Sequence, residues 1–455
     1  MKKIEMAKIP LHVFPGDFRW GTATAAYQIE GAHNEDGRGS SIWDVFAETP
    51  GKVLNGDTGK VAVDHYHRFK DDVQMMQELG IHHYRLSLAW PRLFPDGKGA
   101  LNEKGADFYH RLIDELLNHD IQPAVTLYHW DLPQALQEAG GWQNRDTTYH
   151  FQVFAESAFK LYGDRVKSWI THNEPWCSAY LGHYTGIHAP GIKDSQAALK
   201  AAHHILYSHG LAVEAGRQLV PDAKIGITLN LNPIYPETPG SKDEISVNLH
   251  DVVSNRWFLD PVFKGEYPAE LVQIFGELPK ELKEEDMKTI SHPIDFLGVN
   301  YYSYAVIRYD ELEKVMLGRH VTPTDRITDM GWPVNAKGLR DLLLRLQHEY
   351  QPKAIMVTEN GAAYPDVVEN GKVNDKERID YVSEHIEAIG ESIEQGVNVK
   401  GYYLWSLMDN YEWQFGYSKR FGIVYVDYRT LDRIPKASAQ WYSHLINDFE
   451  DIKKQ

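Results

Sequence analysis

The chain alternates short apolar runs with amphipathic helical segments along almost its whole length. Eight of the apolar runs have the length of a strand. They lie near Phe18–Thr24, His83–Leu88, Pro123–Tyr128, Val166–Thr171, Lys224–Leu229, Ile294–Val299, Ala354–Thr358 and Val399–Leu404. Nearly continuous apolar strands that alternate with helices indicate a parallel sheet covered on both faces. Eight such strands without an intervening linker favour one closed barrel over two open sheets.

The segments between the runs space their apolar residues by three and four, as a helix with one buried stripe requires. The first clear segment, Val61–Leu79, stops at Gly80. The same spacing recurs in Phe108–Leu116, Leu339–Leu346 and Ile379–Ile393. Asn374 could cap the last of these helices.

The fold class predicted is therefore α/β, a (β/α)8 TIM barrel. Residues 1–455 are expected to form a single domain, since no Gly/Ser-rich or Pro-rich linker divides the chain. Barrels with insertions can exceed ~400 residues, so the length fits. Two non-periodic stretches, Asn230–Pro261 and Tyr309–Asn335, are expected to be rim-loop insertions.

Composition narrows the class of protein. The net charge of -17 disfavours binding to nucleic acid or to anionic membrane surfaces. The single cysteine, Cys177, excludes an intramolecular disulfide, and no run approaches the ~18 apolar residues of a membrane span. Lys2 and Lys3 are followed by residues that break any signal-peptide core, namely Glu5, Lys8, Pro10 and His12. We therefore expect a cytoplasmic protein, whose oligomeric state the sequence leaves open.

Aromatic residues make up 12% of the chain, with 12 Trp, 26 Tyr and 16 Phe. Most aromatic rings fill cores, and some stack on the C–H faces of sugars. Composition leaves both interpretations open.

Polar and aromatic residues follow five of the eight runs. These ends read YHWD at 128–131, THNEP at 171–175, NYY at 300–302, TENG at 358–361 and Trp405. In a barrel the carboxyl ends of the strands build the active site. The alternative, that polar residues only mark the start of solvated loops, weakens when five ends share the pattern.

Two of these ends carry a glutamate, Glu174 after the fourth run and Glu359 after the seventh. A lone Glu at a strand end is usually a surface group. Two that face each other across a barrel mouth suit glycoside cleavage, in which one protonates the leaving oxygen and the other stabilises or attacks the sugar.

At these residues the chain closely resembles the family-one glycoside hydrolases, the β-glucosidase group. The matching stretches are FRWGTATAAYQIEG (18–31), YRLSLAWPR (84–92), TLYHWDLP (126–133), THNEPW (171–176), GVNYY (298–302), VTENG (357–361), LWSLMDNYEWQF (404–415) and KRFGIVYVD (419–427). They stand in the family's order, and the resemblance extends from about Phe14 to Tyr442.

The resemblance implies a retaining β-glucosidase that acts on terminal β-D-glucosyl residues of cello-oligosaccharides and of aryl or alkyl β-glucosides. It implies Glu174 as general acid/base and Glu359 as nucleophile, with some galactosidase or fucosidase activity, and neither metal nor cofactor. Retention requires the carboxyl groups ~5–5.5 Å apart. At that distance the charge of one raises the pKa of the other.

The resemblance also assigns the remaining site residues. Arg85 and Tyr302 match residues that contact the nucleophile, Asn173 matches the amide that binds the sugar 2-hydroxyl, and Asn300 is expected nearby. Hydrogen bonds to the outer hydroxyls are expected from Gln28, His129, Trp130, Glu412 and Trp413, with Tyr302 also in the substrate site. Trp405 matches the stacking floor.

Glu412 bears on the substrate subclass. A carboxylate there accepts hydrogen bonds from neutral hydroxyls and repels a 6-phosphate, which carries about two negative charges. The phospho-glycosidase branch resembles this chain but places a serine at that position, followed by a lysine and a tyrosine that hold phosphate. Lys419 occurs in both branches and discriminates little. We therefore predict an unphosphorylated sugar.

Other candidate residues have ordinary interpretations. Cys177 is expected to be a small buried residue without activation. Histidines with metal-like spacing, His65, His67, His82, His83, His203, His204 and His209, occur among 22 in the chain, and no Cys or carboxylate cluster completes a site. No nucleotide-binding fingerprint occurs. A catalytically dead sugar-binding relative and a metal-dependent barrel hydrolase are the alternatives to test.

Overall fold

The computed structural model describes residues 9–323 and 326–454. Eight parallel strands form a closed barrel in chain order. They are β1 Arg19–Ala23, β2 His83–Ser87, β3 Gln122–Tyr128, β4 Ser168–Asn173, β5 Lys224–Asn230, β6 Phe296–Asn300, β7 Ile355–Asn360 and β8 Val399–Trp405. The barrel closes where β1 pairs with β8, with Gly21 opposite Tyr403. The predicted (β/α)8 barrel is confirmed.

Helices connect successive strands and cover the outside of the barrel. The main ones are α1 His65–Glu78, α2 Glu103–Asn118, α3 Asp146–Tyr162, α4 Ser195–Leu219, α5 Asp243–Asp251, α6 Ala336–Glu349, α7 Lys376–Glu394 and α8 Ala437–Lys453. The helix α5 continues through a π-helical stretch, Val252–Arg256, into Trp257–Lys264. In α1 the buried stripe contains Phe69, Val73 and Met76, as its spacing predicts.

Shorter helices and strands lie along the chain between the main elements. The short helices are Leu11–Val13, Ala26–Ile29, Ile42–Glu48, Leu54–Gly56, Trp90–Leu93, Gln134–Glu138, Gly141–Gln143, Cys177–Thr185, Glu270–Phe275, Asp286–Ile290 and Trp413–Phe415. The short strands are Ile234–Pro236, Ala305–Tyr309, Gly318–His320, Val368–Glu369, Lys372–Val373, Val424–Val426 and Arg433–Pro435. The first three of these strands form a small sheet of their own.

Three local features differ from the sequence predictions: a helix start, a helix cap and an insertion. The helix predicted from Val61 begins at His65. Asn374 does not cap α7: Asp375 is the residue that precedes the helix, and its carboxylate binds Arg378 and Ser438 instead of the helix amides. The stretch Asn230–Pro261 is not a non-periodic insertion throughout, because α5 and its continuation occupy residues 243–261 of it.

Two further predictions concern a signal peptide at the amino terminus and membrane spans. Lys2, Lys3, Glu5 and Lys8, on which the signal-peptide prediction partly rests, lie outside the described residues. Within residues 9–323 and 326–454, no helix combines the length and the apolar character needed to cross a membrane.

Candidate active site

A cavity of about 670 Å³ opens at the carboxyl ends of the barrel strands. The ends of β3, β4, β6, β7 and β8 all contribute to its wall. Its lining includes His129, Trp130, Glu174, Asn300, Tyr302, Glu359, Trp405, Glu412 and Trp413. The cavity lies where a (β/α)8 barrel places its chemistry.

Glu359, near the end of β7, is held by two donors. Arg85 of β2 donates from Nη1 to Oε1 at 2.6 Å, and the Tyr302 hydroxyl donates to Oε2 at 2.6 Å. Burial raises the pKa of Glu359, while the Arg85 charge and the Tyr302 hydrogen bond oppose that rise. Both oxygens of this carboxylate are therefore stabilised as an anion.

Gly361, two residues later, allows the loop after β7 to pass the end of β8. A Cβ atom at this position would lie 1.7 Å from the carbonyl oxygen of Trp405. Only glycine fits against that backbone, which explains the last letter of the TENG motif.

Glu174 follows β4, and the donors that contact its carboxyl group among the described residues are neutral. Its Oε1 accepts from Asn300 Nδ2 at 2.7 Å, and its Oε2 accepts from Cys177 Sγ at 3.3 Å. Burial, followed by the charge of Glu359, raises the pKa of Glu174 to about 8. The two carboxyl groups thus differ in proton affinity because their surroundings differ.

Arg85 joins several strands beneath the cavity floor. Besides Glu359, it donates to Asn173 Oδ1 at 2.7 Å, to Thr126 Oγ1 at 3.2 Å and to the Thr358 carbonyl at 3.1 Å. The threonines were not singled out from the sequence, although both lie inside the matched motifs. Arg85 is fully buried, and its five donors account for this set of acceptors.

One side of the cavity is lined by rings. His129 lies nearly parallel to Trp405, with ring centroids 5.9 Å apart, and Trp130 packs on Trp413 at 4.4 Å. Asn173 Nδ2 faces His129 Nε2 at 3.1 Å. Because an amide nitrogen only donates, His129 Nε2 presents its lone pair and Nδ1 carries the proton.

Three of these residues have backbones in the left-handed region. Trp130, Glu174 and Trp413 have φ values of 76°, 48° and 47°. Positive φ is costly for large side chains, and it is concentrated at functional sites where the surroundings enforce it.

Glu412 lies at the outer end of this ring-lined side. Its Oε2 is buried without a hydrogen-bond partner among the described residues. Burial, followed by the charges of Glu359 and Glu174, raises the pKa of Glu412 to about 8. Lys419, the lysine that occurs in both branches of the family, binds Asp329 through the carbonyl at 2.6 Å and through the carboxylate at 3.1 Å.

Gln28 is buried beside the segment that carries Glu412. Its Nε2 donates to the Tyr411 carbonyl at 2.8 Å and to Asn410 Oδ1 at 3.1 Å. Gln28 therefore fixes the segment that carries Glu412, and its own Oε1 is buried without a partner among the described residues.

Residues 11–450 match the model of glycosyl hydrolase family 1. The chain belongs to this family. It is 49% identical to β-glucosidase A of Acetivibrio thermocellus over 97% of this chain and 99% of that protein. It is 44% identical to the bifunctional β-D-glucosidase/β-D-fucosidase of Bifidobacterium breve, over 96% and 98% of the two chains.

The fold agrees with that of solved family 1 structures. The Thermotoga maritima family 1 glycoside hydrolase, complexed with a cyclophellitol analogue transition state mimic, superposes with a TM-score of 0.94. The two chains are 46% identical, and the match covers 96% of this chain and 98% of that one. This family 1 chain is therefore a glycoside hydrolase, as its motifs predicted.

The family 1 site contains further contacts that the sequence did not single out. His188 lines the cavity, and its Nε2 lies 2.6 Å from Gln414 Oε1. Trp43 packs on Trp413 with ring centroids 4.6 Å apart. These residues lie in segments far apart in the chain, so that only the fold brings them together.

Several of the histidines with metal-like spacing have other partners. His65 binds Asp72 at 2.7 Å, His203 binds Asp286 at 3.1 Å, and His209 contacts Thr171 Oγ1 at 2.7 Å. Within the part of the chain that the structure describes, no three His, Cys, Asp or Glu side chains are placed to hold a metal ion. That the reaction needs no metal stays a prediction, and turnover in the presence of EDTA tests it.

Proposed function

We propose that this family 1 chain is a retaining β-glucosidase that hydrolyses terminal non-reducing β-D-glucosyl residues of cello-oligosaccharides and of aryl or alkyl β-glucosides. Glu359 is the nucleophile and Glu174 the general acid/base. One observation carries the proposal: Glu359 is bound by a cation and a phenol, whereas Glu174 is bound by an amide and a thiol.

In the first step Glu359 attacks the anomeric carbon while Glu174 protonates the leaving oxygen. Arg85 and Tyr302 keep the attacking carboxylate ionised. The raised pKa of Glu174, to about 8, keeps this group protonated at neutral pH. A glycosyl ester forms on Glu359, and the alcohol leaves with the proton of Glu174.

In the second step the roles reverse. The ester on Glu359 is neutral, so the charge that raised the pKa of Glu174 is gone. Glu174 then takes a proton from water, whose oxygen attacks the anomeric carbon; the bond from that carbon to the Glu359 oxygen breaks, Glu359 leaves as a carboxylate and the sugar is released with its original configuration. One residue serves both steps because the other changes charge between them.

The glycone is held by the ring-lined side of the cavity. Trp405 offers a stacking face, and Asn173 and His129 are close enough to each other to share neighbouring hydroxyls. Glu412 accepts hydrogen bonds from the outer hydroxyls. The named fucosidase activity of the Bifidobacterium breve relative supports some β-fucosidase activity here, and β-galactosidase activity stays a prediction.

The nucleophile is tested with Glu359→Ala on p-nitrophenyl β-glucoside. We expect kcat to fall by about 10⁴-fold or more, because removal of a catalytic nucleophile has effects of this size. Azide should restore part of the turnover and give an α-glucosyl azide. The control is Glu394→Gln, an exposed residue of α7, which should keep full activity.

The alternatives give different results in the same assay. A sugar-binding relative would bind glucose and turn over nothing, and a metal-dependent hydrolase would lose activity with EDTA. A Glu359→Ala protein with wild-type turnover would remove the mechanism.

We also propose that residues 1–455 act as one catalytic domain, and that the protein works in the cytoplasm. The family match over residues 11–450 supports the first proposal. A single cooperative thermal transition, coincident with loss of activity, is expected. The location is supported only by the single cysteine, and fractionation of the source cells tests it.

A further inference from the structure

The hydrogen bonds around Glu174 determine which of its oxygens carries the acid proton. Arg85 Nη2 can only donate, so the Asn173 oxygen that it contacts is an acceptor. Asn300 contacts that same Asn173 oxygen at 3.1 Å, and therefore presents its NH₂ group there. The Asn300 oxygen in turn accepts from the Thr358 hydroxyl at 2.8 Å.

The same NH₂ group of Asn300 reaches Glu174 Oε1 at 2.7 Å. Since an amide nitrogen offers no lone pair, Oε1 accepts this short N–H hydrogen bond, which lowers its proton affinity below that of Oε2, whose donor is a weak thiol at 3.3 Å. The proton of the acid form therefore resides on Oε2. Within the described residues, the side chain in hydrogen-bond contact with Oε2 is Cys177, whose Sγ lies 3.3 Å away.

The local backbone fixes this contact. Cys177 begins the π-helix Cys177–Thr185, and its amide donates to the Glu174 carbonyl at 2.9 Å. The turn thus places the thiol over the carboxyl group three residues before it. Both side chains are buried, and both line the cavity.

We propose that Cys177 is a positioning residue for proton transfer: its thiol holds Oε2 of Glu174, the oxygen that carries the acid proton to the leaving group. The inference rests on the proposed function, since it takes Glu174 as the general acid. A protonated Oε2 keeps one lone pair that a thiol can fill, and an ionised Oε2 accepts the S–H more strongly. Burial raises the pKa of Cys177 itself, so the thiol stays protonated and acts as a donor.

Several charged and titratable groups face Glu174, and their signs differ. Burial and the Glu359 charge raise its pKa, and the charge of Arg85 lowers it. Tyr302 and Glu412 also lie within electrostatic reach. The thiol of Cys177, like the amide of Asn300, lowers the pKa of Glu174 by stabilising the anion. Loss of the thiol must then raise it.

Three variants separate hydrogen bonding from volume. Cys177→Val keeps a similar volume without a donor, Cys177→Ala loses both, and Cys177→Ser keeps a donor. The basic limb of kcat/KM reports the acid in the free enzyme. We expect the Val and Ala variants to move this limb to higher pH by about half a unit, since an S–H donor is weak. The Ser variant should lie at or below the wild-type position.

A second readout tests delivery of the proton. Cellobiose has a poor leaving group and needs the acid, whereas 2,4-dinitrophenyl β-glucoside does not. The Val and Ala variants should lose more kcat/KM on cellobiose than on the dinitrophenyl substrate.

The inference is overturned if the profiles of all three variants superimpose on that of the wild type. It is also overturned if Cys177→Ala slows the reaction, Cys177→Val keeps the wild-type rate, and neither variant moves the basic limb of the kcat/KM profile. Cys177 would then only fill space. A Glu174→Gln variant tests the parent proposal separately. If that variant hydrolyses cellobiose at the wild-type rate, Glu174 is not the acid and the proposed function fails; if it behaves as expected, only the role of Cys177 is in question.

Discussion

At the scale of single residues, the carboxyl group of Glu412 selects among sugars. Its carboxylate is buried near Glu174 and Glu359, and Oε2 has no partner among the described residues. A hydroxyl at O4 or O6 can donate to this oxygen, whereas a phosphate brings more negative charge to a buried acidic site. Lys419, the lysine that follows Glu412 in the sequence, binds Asp329.

We expect p-nitrophenyl β-glucoside to be cleaved with a kcat/KM at least about 100-fold above that of its 6-phosphate, as unfavourable charge pairing of several kcal/mol implies. Glu412→Ser should narrow the ratio, because it replaces a buried acidic group, which a phosphate would hold close to its own charge, by a small hydroxyl that can donate to the phosphate. Lys419→Ala serves as the comparison and should change the ratio little. Faster cleavage of the phosphorylated substrate by the wild type contradicts the assignment.

Residue identities in the site were largely accessible from the motifs, while contacts between them were not. Arg85 and Glu359 are 274 positions apart, so no local pattern links the cation to the carboxylate. Cys177 was predicted to be an ordinary buried residue, and it is buried. Its contact with Glu174 depends on a π-helical turn that the sequence did not reveal.

At the scale of elements, a column of stacked rings begins at Trp176, next to the cavity, and continues along the π-helix after β4. Trp176 stacks on Tyr180 with centroids 4.8 Å apart, and Tyr180 stacks on Tyr184 at 5.0 Å. Phe275 closes the column with its edge, at 5.3 Å from Tyr184. Residues four apart lie on one side of a helix, which aligns the rings. Tyr180 therefore backs Trp176, which lines the cavity beside Glu174.

Tyr180→Ala should release the Trp176 ring and weaken binding of the leaving group. We expect KM for cellobiose to rise about threefold to tenfold, the value of one ring pair. The kcat for 2,4-dinitrophenyl β-glucoside should stay unchanged, because its slow step follows departure of the aglycone. Tyr180→Phe keeps the stack and should match the wild type on both substrates. Equal effects of Ala and Phe would contradict a stacking role.

The strands were predicted more accurately in their interiors than at their ends. The fourth run was expected at Val166–Thr171, yet β4 is Ser168–Asn173 with all six residues buried. The prediction ended this strand too early because it followed apolar residues only. The last two residues of β4, His172 and Asn173, are polar. The helix α5 and its continuation were missed because the π-helical stretch Val252–Arg256 and Pro261 interrupt the residue spacing that marks a regular helix.

At the scale of the whole molecule, contacts made by the last quarter of the chain stabilise the closed barrel. The helix α8 returns to the first strand, where Tyr442 donates to the Gly21 carbonyl at 2.9 Å. A buried charge network joins the segments around it. Lys436, just before α8, binds Asp366 at 2.5 Å and Asp409 at 2.8 Å.

Arg378 of α7 is the second cation of this network. It binds Asp366 through two bonds of 2.8 and 3.1 Å, and it also pairs with Asp375. Further bonds reach the Ala362 and Arg420 carbonyls. Through these contacts Arg378 connects the loop after β7, the start of α7 and the loop after β8, which is the segment that carries Glu412.

Replacement of Arg378 by methionine should destabilise the whole barrel, because it leaves buried carboxylates without their partner. Breaking such a buried pair costs about 3–5 kcal/mol of unfolding free energy at neutral pH. Arg429→Met, at an exposed ion pair with Asp427, is the matched control and should change the thermal midpoint little.

The cost should also depend on pH, with a definite sign. Burial alone would raise the pKa of Asp366, but the charges of Arg378 and Lys436 hold it below its ordinary value. A carboxyl group with a lowered folded pKa contributes stability above its unfolded pKa of about 3.9, and that contribution disappears as the pH falls through the folded value. Arg378→Met removes part of this contribution, so the difference in thermal midpoint between wild type and variant should be largest near pH 7 and shrink below about pH 4. A difference that stays constant across this range would mean that Arg378 stabilises the barrel by packing rather than by its charge.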